Sequence, residues 1–289
     1  MFKILFVLYA LATKPLLANT DSLPVSNTML WEISGNGLSS KSYLFGTIHS
    51  ICLPSLRIAK TVKEKLLASD EAVFEINTIK YDTLAAKANF MPGSTLKELI
   101  GSRYFEKVKK IISRYKPISD DSLNRLKPFI VSIYIANAAL QCRITSYDAV
   151  LLQIARSEKI PVSNIESIDE HNRAVNELPL KRQAELLKGR VDNLNLIVQS
   201  MTEDISMYLN NNLMQLYQKS THSDSEDEVA FKTALLDTRS RQWLSVIEEK
   251  IKRHACFFAF GCSHLPGNAG IINLLRAKGY IVTPVYYPI

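Results

Sequence analysis

Tyr43-Leu44-Phe45-Gly46-Thr47-Ile48-His49 and, far along the chain, Phe258-Ala259-Phe260-Gly261-Cys262-Ser263-His264 are two versions of one phrase. Each is an apolar run, then glycine, two residues and histidine. The run predicts a buried strand. The glycine permits either a left-handed turn or a close approach of backbone. The histidine arrives just beyond the strand end, and two imidazoles placed by one device predict one site.

The surroundings of the two phrases also match. Leu30–Ile33 and Ser42–Phe45 flank Gly35-Asn36-Gly37, a hairpin pattern. Leu56–Leu67 has helical periodicity and leads to a compact strand, Glu71–Ile76. Near the other end, Ala255–Phe260 is followed by the second GxxH, a helix over Ala269–Lys278, a stop at Gly279 and a strand over Tyr280–Tyr286. The expected fold is α/β, with a mainly parallel central sheet from two βαβ-like units at the N- and C-terminal ends. A large helical middle section, about 95–252, packs around it. Within that section Thr95 and Glu98 form a capping box ahead of a helix running to about Tyr115. Pro128 opens an apolar helix to Leu140, Tyr147–Ser157 is another helix, and Ile160–Val162 is a short strand. Leu180–Lys219 and Val229–Lys252 read as helical.

With 289 residues and 47% hydrophobic content, one sizeable core is expected, and 19–289 reads as a single domain. Thirty-five Lys and Arg against 28 Asp and Glu give a charge of +7. The basic residues are spread over helix faces without interleaved aromatics, which argues against nucleic-acid binding. Lys3, the apolar stretch Ile4–Ala12 and the small residues Ala12 and Ala18 form a secretory leader over 1–18, too short to span a bilayer. The expectation is an exported protein, periplasmic or secreted, with no stable transmembrane segment after leader removal. An uncleaved leader acting as an anchor is the alternative. Export puts Cys52, Cys142, Cys256 and Cys262 in an oxidising compartment, where three pairings are open. A disulfide or buried free thiols are expected in preference to thiolate ligands.

In an open parallel sheet the ligand crevice lies beyond the carboxyl ends of the strands. His49, His264 and Glu75 should meet there. Two imidazoles and a carboxylate suit a divalent metal ion (Mn, Co or Zn) with an open position for water, hence metal-assisted hydrolysis. The same residues suit a metal-free route, with His49 as base, Glu75 fixing its tautomer and His264 donating to an oxyanion. A third reading leaves the histidines as hydrogen-bonding residues at loop starts. His171, His222 and His254 read as surface residues.

The ordered phrases resemble the TraB/GumN family, which includes the Tiki proteins, from about Trp31 to Val285. Besides both GxxH phrases, the resemblance rests on Leu126-Lys127-Pro128-Phe129, Asp148, Ile165-Glu166-Ser167, Arg239 with Trp243, and Leu274–Tyr280. Tyr147 before the Asp, Asn77 after Glu75 and Ser240 after Arg239 depart from the family pattern. The resemblance implies a Tiki-like α/β fold, related to the haem-binding ChaN and erythromycin esterase class. It also implies a divalent-metal-dependent protease activity of the Tiki kind, while the esterase relatives use a His base and the haem-binding ones sequester a cofactor. The expected function is a divalent-metal-dependent hydrolase acting on a peptide or small-molecule substrate, with His49, Glu75, Glu166 and His264 as metal ligands. Arg239 is expected to stabilise negative charge, and Asp148 to support the site or cap its helix. A peptide- or cofactor-sequestering protein and a metal-independent esterase are the alternatives.

Overall fold

The computed structural model describes residues 25–76, 90–91, 93–222 and 225–288, so the leader segment 1–18 and Asn77 lie outside the described residues. Among the described residues there are eight strands: β1 (Leu30–Ser34), β2 (Ser42–Thr47), β3 (Ile51–Cys52), β4 (Glu71–Phe74), β5 (Ile144–Thr145), β6 (Val162–Asn164), β7 (Cys256–Gly261) and β8 (Ile281–Val285). Six of them form one sheet in the order β6-β4-β7-β2-β1-β8, and β3 pairs with β5 in a separate ribbon. The run β6, β4, β7, β2 is parallel; β1 is antiparallel to both β2 and β8. The central strands are buried on both faces, which explains why Cys256–Phe260 is apolar without alternation. The α/β fold with a mostly parallel sheet is therefore as the sequence predicts.

The pairing of the end units differs from two simple βαβ repeats. β2 and β4 are not neighbours, because β7 lies between them. β2 is already flanked by β7 and β1, so β8 takes the remaining edge of β1 and runs antiparallel. This places the two GxxH phrases side by side: Gly46 pairs with Phe260 and Thr47 with Gly261. Both motif glycines serve close approach. A Cβ on Gly46 would lie 2.8 Å from the Cys262 Cβ, and neither glycine has a positive φ.

The helices that matter below are α1 (Lys60–Leu67), α2 (Leu96–Ile100), α3 (Ser102–Ile112), α4 (Asp120–Arg125), α5 (Pro128–Ala139), α6 (Tyr147–Ser157), α7 (Ile168–Asn176), α8 (Leu180–Asp192), α9 (Leu194–Leu209), α10 (Leu213–Thr221), α11 (Glu226–Thr233), α12 (Arg239–Ile251) and α13 (Ile271–Ala277). The capping box at Thr95 and Glu98 is present, but the helix breaks at Gly101, whose φ of 80° only glycine adopts without strain. One core surrounds the sheet, with Trp31, Phe45, Phe257, Phe258 and Trp243 fully or almost fully buried. A second apolar cluster joins α2, α3, α4, α5 and α8 through Leu96, Val108, Leu123, Val131 and Leu187. Among the described residues no helix is long and apolar enough to cross a membrane.

Cys52 and Cys142 form a disulfide, while Cys256 and Cys262 are buried free thiols. The bridge joins the β3–β5 ribbon, where Cys52 pairs with Ile144, and so ties the chain just after His49 to the chain just before α6. Closing a loop of 90 residues stabilises the fold by about 4.6 kcal/mol through restriction of the unfolded chain. The double substitution Cys52→Ser, Cys142→Ser should lower the denaturant midpoint accordingly, and reducing agent should bring the parent protein to the same value.

Candidate active site

Both histidines reach the carboxyl edge of the sheet, as the crevice rule requires. They line a cavity of about 830 Å³ together with Thr47, Glu75, Asp148, His171, Arg239 and Gly261. Ile48, Ile76, Phe129, Ile133, Leu235 and Leu236 supply an apolar wall.

His49 leaves β2 and meets the first turn of α6. Its Nδ1 donates to Asp148 Oδ2 at 2.9 Å, and Thr47 Oγ1 donates to Asp148 Oδ1 at 2.7 Å. Both carboxylate oxygens are thereby used, which fixes the imidazole with Nε2 toward the cavity. Nε2 lies 3.7 Å from Glu75 Oε2. Enclosure in the cleft lowers the basicity of the ring. The charge and hydrogen bond of Asp148, with Glu75 behind them, outweigh this and raise the pKa to about 9, against the opposing charge of Arg239.

Arg239 occupies the centre of the site. It begins α12, directly after a π-helical turn, Ala234–Thr238, of the kind often found at functional positions. Its Nε donates to Glu166 Oε2 at 3.0 Å, its Nη2 to Glu166 Oε1 at 2.5 Å and to Glu75 Oε1, and its Nη1 to the Leu235 carbonyl at 2.9 Å. Trp243 Nε1 also donates to Glu166 Oε2, at 2.9 Å. Burial raises the pKa of Glu75, but Arg239 and then His49 hold it well below the carboxylate range. With its donors engaged in this way, Arg239 is a clamp on two carboxylates and not a free group for substrate charge.

His264 is 3% exposed and packs against Trp243, with ring centroids 4.3 Å apart and the planes tilted by 36°. Its Nε2 faces Arg239 Nη1 at 3.4 Å. Because a guanidinium only donates, Nε2 accepts and Nδ1–H is the donor to Ser240 Oγ at 2.9 Å. Burial first, and the Arg239 charge second, push its pKa down to about 3. His264 is thus a neutral structural acceptor. Its oxyanion role does not fit this arrangement, and its Nε2 faces Arg239 instead of the cavity, whereas Glu166 converges with Glu75 and His171 in a group whose ligand atoms lie within 4.8 Å of one another.

The structure also adds residues. His171 is part of the site, with Nδ1 3.0 Å from Glu166 Oε1 and 3.8 Å from Glu75 Oε1. Its place beside Asp169-Glu170 on a polar helix hid this in the sequence. Ser240, a departure from the family pattern, is the partner of His264. Burial pushes the Cys262 thiol up to about 12, which excludes it as a thiolate at neutral pH.

A profile of the TraB/PrgY/gumN family matches residues 29–284. The chain belongs to the TraB/PrgY/gumN family. No curated protein and no solved structure matched it in the same comparisons. Within this TraB/PrgY/gumN chain, both GxxH histidines, Glu75, Glu166 and Arg239 meet in one place, with His49, Glu75 and His171 lining the cavity.

Because the folded His49 pKa of about 9 exceeds the free value of 6.5, the Asp148 interaction stabilises the fold fully below pH 6.5 and is lost as pH rises through about 9. Asp148→Asn should bring the His49 titration, followed by NMR, down toward the ordinary value. Its stability deficit should be largest near pH 6 and should close above pH 10. Gly261→Ala would put a Cβ 3.1 Å from His49 Nε2. That variant should keep its secondary structure by circular dichroism while losing ligand access to Nε2.

Proposed function

We propose that this protein is a divalent-metal-dependent hydrolase of the cell envelope or exterior, cleaving peptide bonds in the cavity beside His49. The observation that carries the reading is the charge balance of the site. Asp148, Glu75 and Glu166 are all buried, and Arg239 is the one buried guanidinium among the described residues lining the site. Three carboxylates against one fixed cation leave an excess of negative charge, which a buried site tolerates only with a further cation. At neutral pH a proton on His49 meets part of that need. A divalent ion would meet it fully.

Glu75 is shared by two groupings that fit such an ion, one with Glu166 and His171, whose ligand atoms lie within 4.8 Å of one another, and one with His49. His49 Nε2 and Glu75 Oε2 face each other at 3.7 Å, and the missing Cβ of Gly261 leaves the space beside them open. When bound there, a divalent ion supplies an acidified water and a polarised carbonyl. Asp148 keeps His49 Nε2 aimed at the cavity. Arg239 holds Glu75 by Oε1, the Gly261 N–H donates to Oε2 at 3.3 Å and aims it beside His49, and the apolar wall excludes water from the reacting carbonyl. The export part of the proposal is supported by the leader pattern and by the Cys52–Cys142 disulfide, which suits an oxidising compartment.

A second reading, metal-free hydrolysis by His49, is favoured by the Asp148–His49 dyad. A base with a pKa of about 9 is mostly protonated at neutral pH, so this route requires alkaline conditions.

Turnover of a quenched fluorescent peptide library, measured before and after chelation and again after adding Mn²⁺, Co²⁺ or Zn²⁺, tests the proposal. Chelation should abolish turnover and one of the ions should restore it. His49→Ala and Glu75→Gln should each lower kcat/KM by about 10³-fold or more, since each removes one of two ligands. Full activity in chelator, rising through about pH 9, would replace the proposal with the metal-free route. Saturable peptide binding without turnover under any condition would replace it with sequestration.

A further inference from the structure

At the opposite end of the parallel strands, a second group of ligating side chains converges. Glu71 opens β4 and is the register partner of Cys256, which opens β7. His254 follows the end of α12, two residues before Cys256. His254 Nε2 is 2.8 Å from Glu71 Oε2, Cys256 Sγ is 3.9 Å from the same oxygen, and all three ligand atoms lie within 4.8 Å of one another.

We propose that Glu71 Oε2, His254 Nε2 and Cys256 Sγ form a second metal site, selective for a zinc-class divalent ion and completed by a solvent ligand. A tetrahedral zinc with metal–sulfur and metal–oxygen lengths of roughly 2.3 and 2.0 Å needs a sulfur–oxygen edge of roughly 3.5 Å and a nitrogen–oxygen edge of roughly 3.3 Å. The present distances reach those values by adjustments of about half an ångström. A thiolate with an imidazole and one carboxylate is a borderline-soft set, which suits zinc over magnesium or calcium.

The local charges agree. Lys250 Nζ donates to both Glu71 oxygens, Oε1 at 2.8 Å and Oε2 at 3.0 Å, and holds the carboxylate in place; a metal on Oε2 would move the ammonium onto Oε1. Asp70, whose carboxylate accepts from Ala255 N at 2.9 Å, stands beside the group. With Cys256 ionised, Asp70, Glu71 and Cys256 carry three negative charges, which Lys250 and a divalent ion balance. Binding releases the thiol proton to solvent and moves the remaining imidazole proton to Nδ1. A thiol that ligates a divalent ion is deprotonated by it, so the ion is what makes the thiolate. Cys256 is fully buried, whereas the His254 side chain is 34% exposed and gives the ion a way in. The bound ion would tie the end of α12 to β4 and β7, a structural role that does not depend on hydrolysis in the other cavity.

Titration of the purified full chain with Co²⁺ tests this. One equivalent should produce a thiolate-to-cobalt charge-transfer band in the near ultraviolet, bleached by Zn²⁺, in the parent protein and in His49→Ala and Cys262→Ser. Cys256→Ser should abolish the band, and His254→Ala should weaken cobalt affinity at least tenfold. Zn²⁺ should raise the Tm of the parent protein and not that of Cys256→Ser. No band in the parent protein, a band that survives Cys256→Ser, or one lost in Cys262→Ser would overturn the proposal. If Cys256→Ser does not fold, unchanged cobalt affinity in the surface variant His254→Ala would overturn it equally.

Discussion

The site depends on one buried guanidinium. Arg239 contacts Glu75 and Glu166 together and lies within 3.4 Å of His264, so residues from the segments following three parallel strands and from one helix share a single cation. Removing one partner of such a buried pair strands the other charges, which costs about 3–5 kcal/mol. The guanidinium therefore acts as an assembly point for the buried carboxylates, and His49 Nε2 stands outside it, facing the cavity.

This division explains why the two GxxH phrases, alike in sequence, do different things. β2 and β7 are adjacent and parallel, so both histidines start from the same level of the sheet. The first then meets Asp148 on α6 and keeps 59% of its side chain open to the cavity. The second turns beneath Trp243 and Arg239 and is sealed in. One ring is raised toward the charged form and the other is held neutral, and the separating factor is the neighbour each one meets: a carboxylate for His49, a guanidinium for His264. The disulfide between Cys52 and Cys142 binds the two chain segments on which the His49–Asp148 contact depends, which connects the redox state of the compartment to the geometry of the dyad.

Strand character around the GxxH phrases, the hairpin at residues 35–37, the capping box at Thr95 and the helix over Tyr147–Ser157 were legible because each is written in local residue order. So was the convergence of His49 and Glu75, since a residue that closes a parallel strand has few other places to go. The roles of Arg239, His171 and Ser240 were not legible. Arg239 is separated from Glu75 by 164 positions, and no local pattern distinguishes an arginine that clamps two carboxylates from one that awaits a substrate. His171 sits in a polar helix whose first turn is acidic, a composition that ordinarily faces solvent.

Composition and periodicity by themselves determined the α/β class and the placement of both histidines and Glu75 at strand ends, because apolar runs and glycines act over a few residues. Only the tertiary structure decided that β7 lies between β2 and β4, that β8 runs antiparallel against β1, and that Asp148 belongs to His49. Those outcomes turn on which sheet edge is still unpaired and on which charges must share a buried volume, and neither is a property of any local stretch of chain.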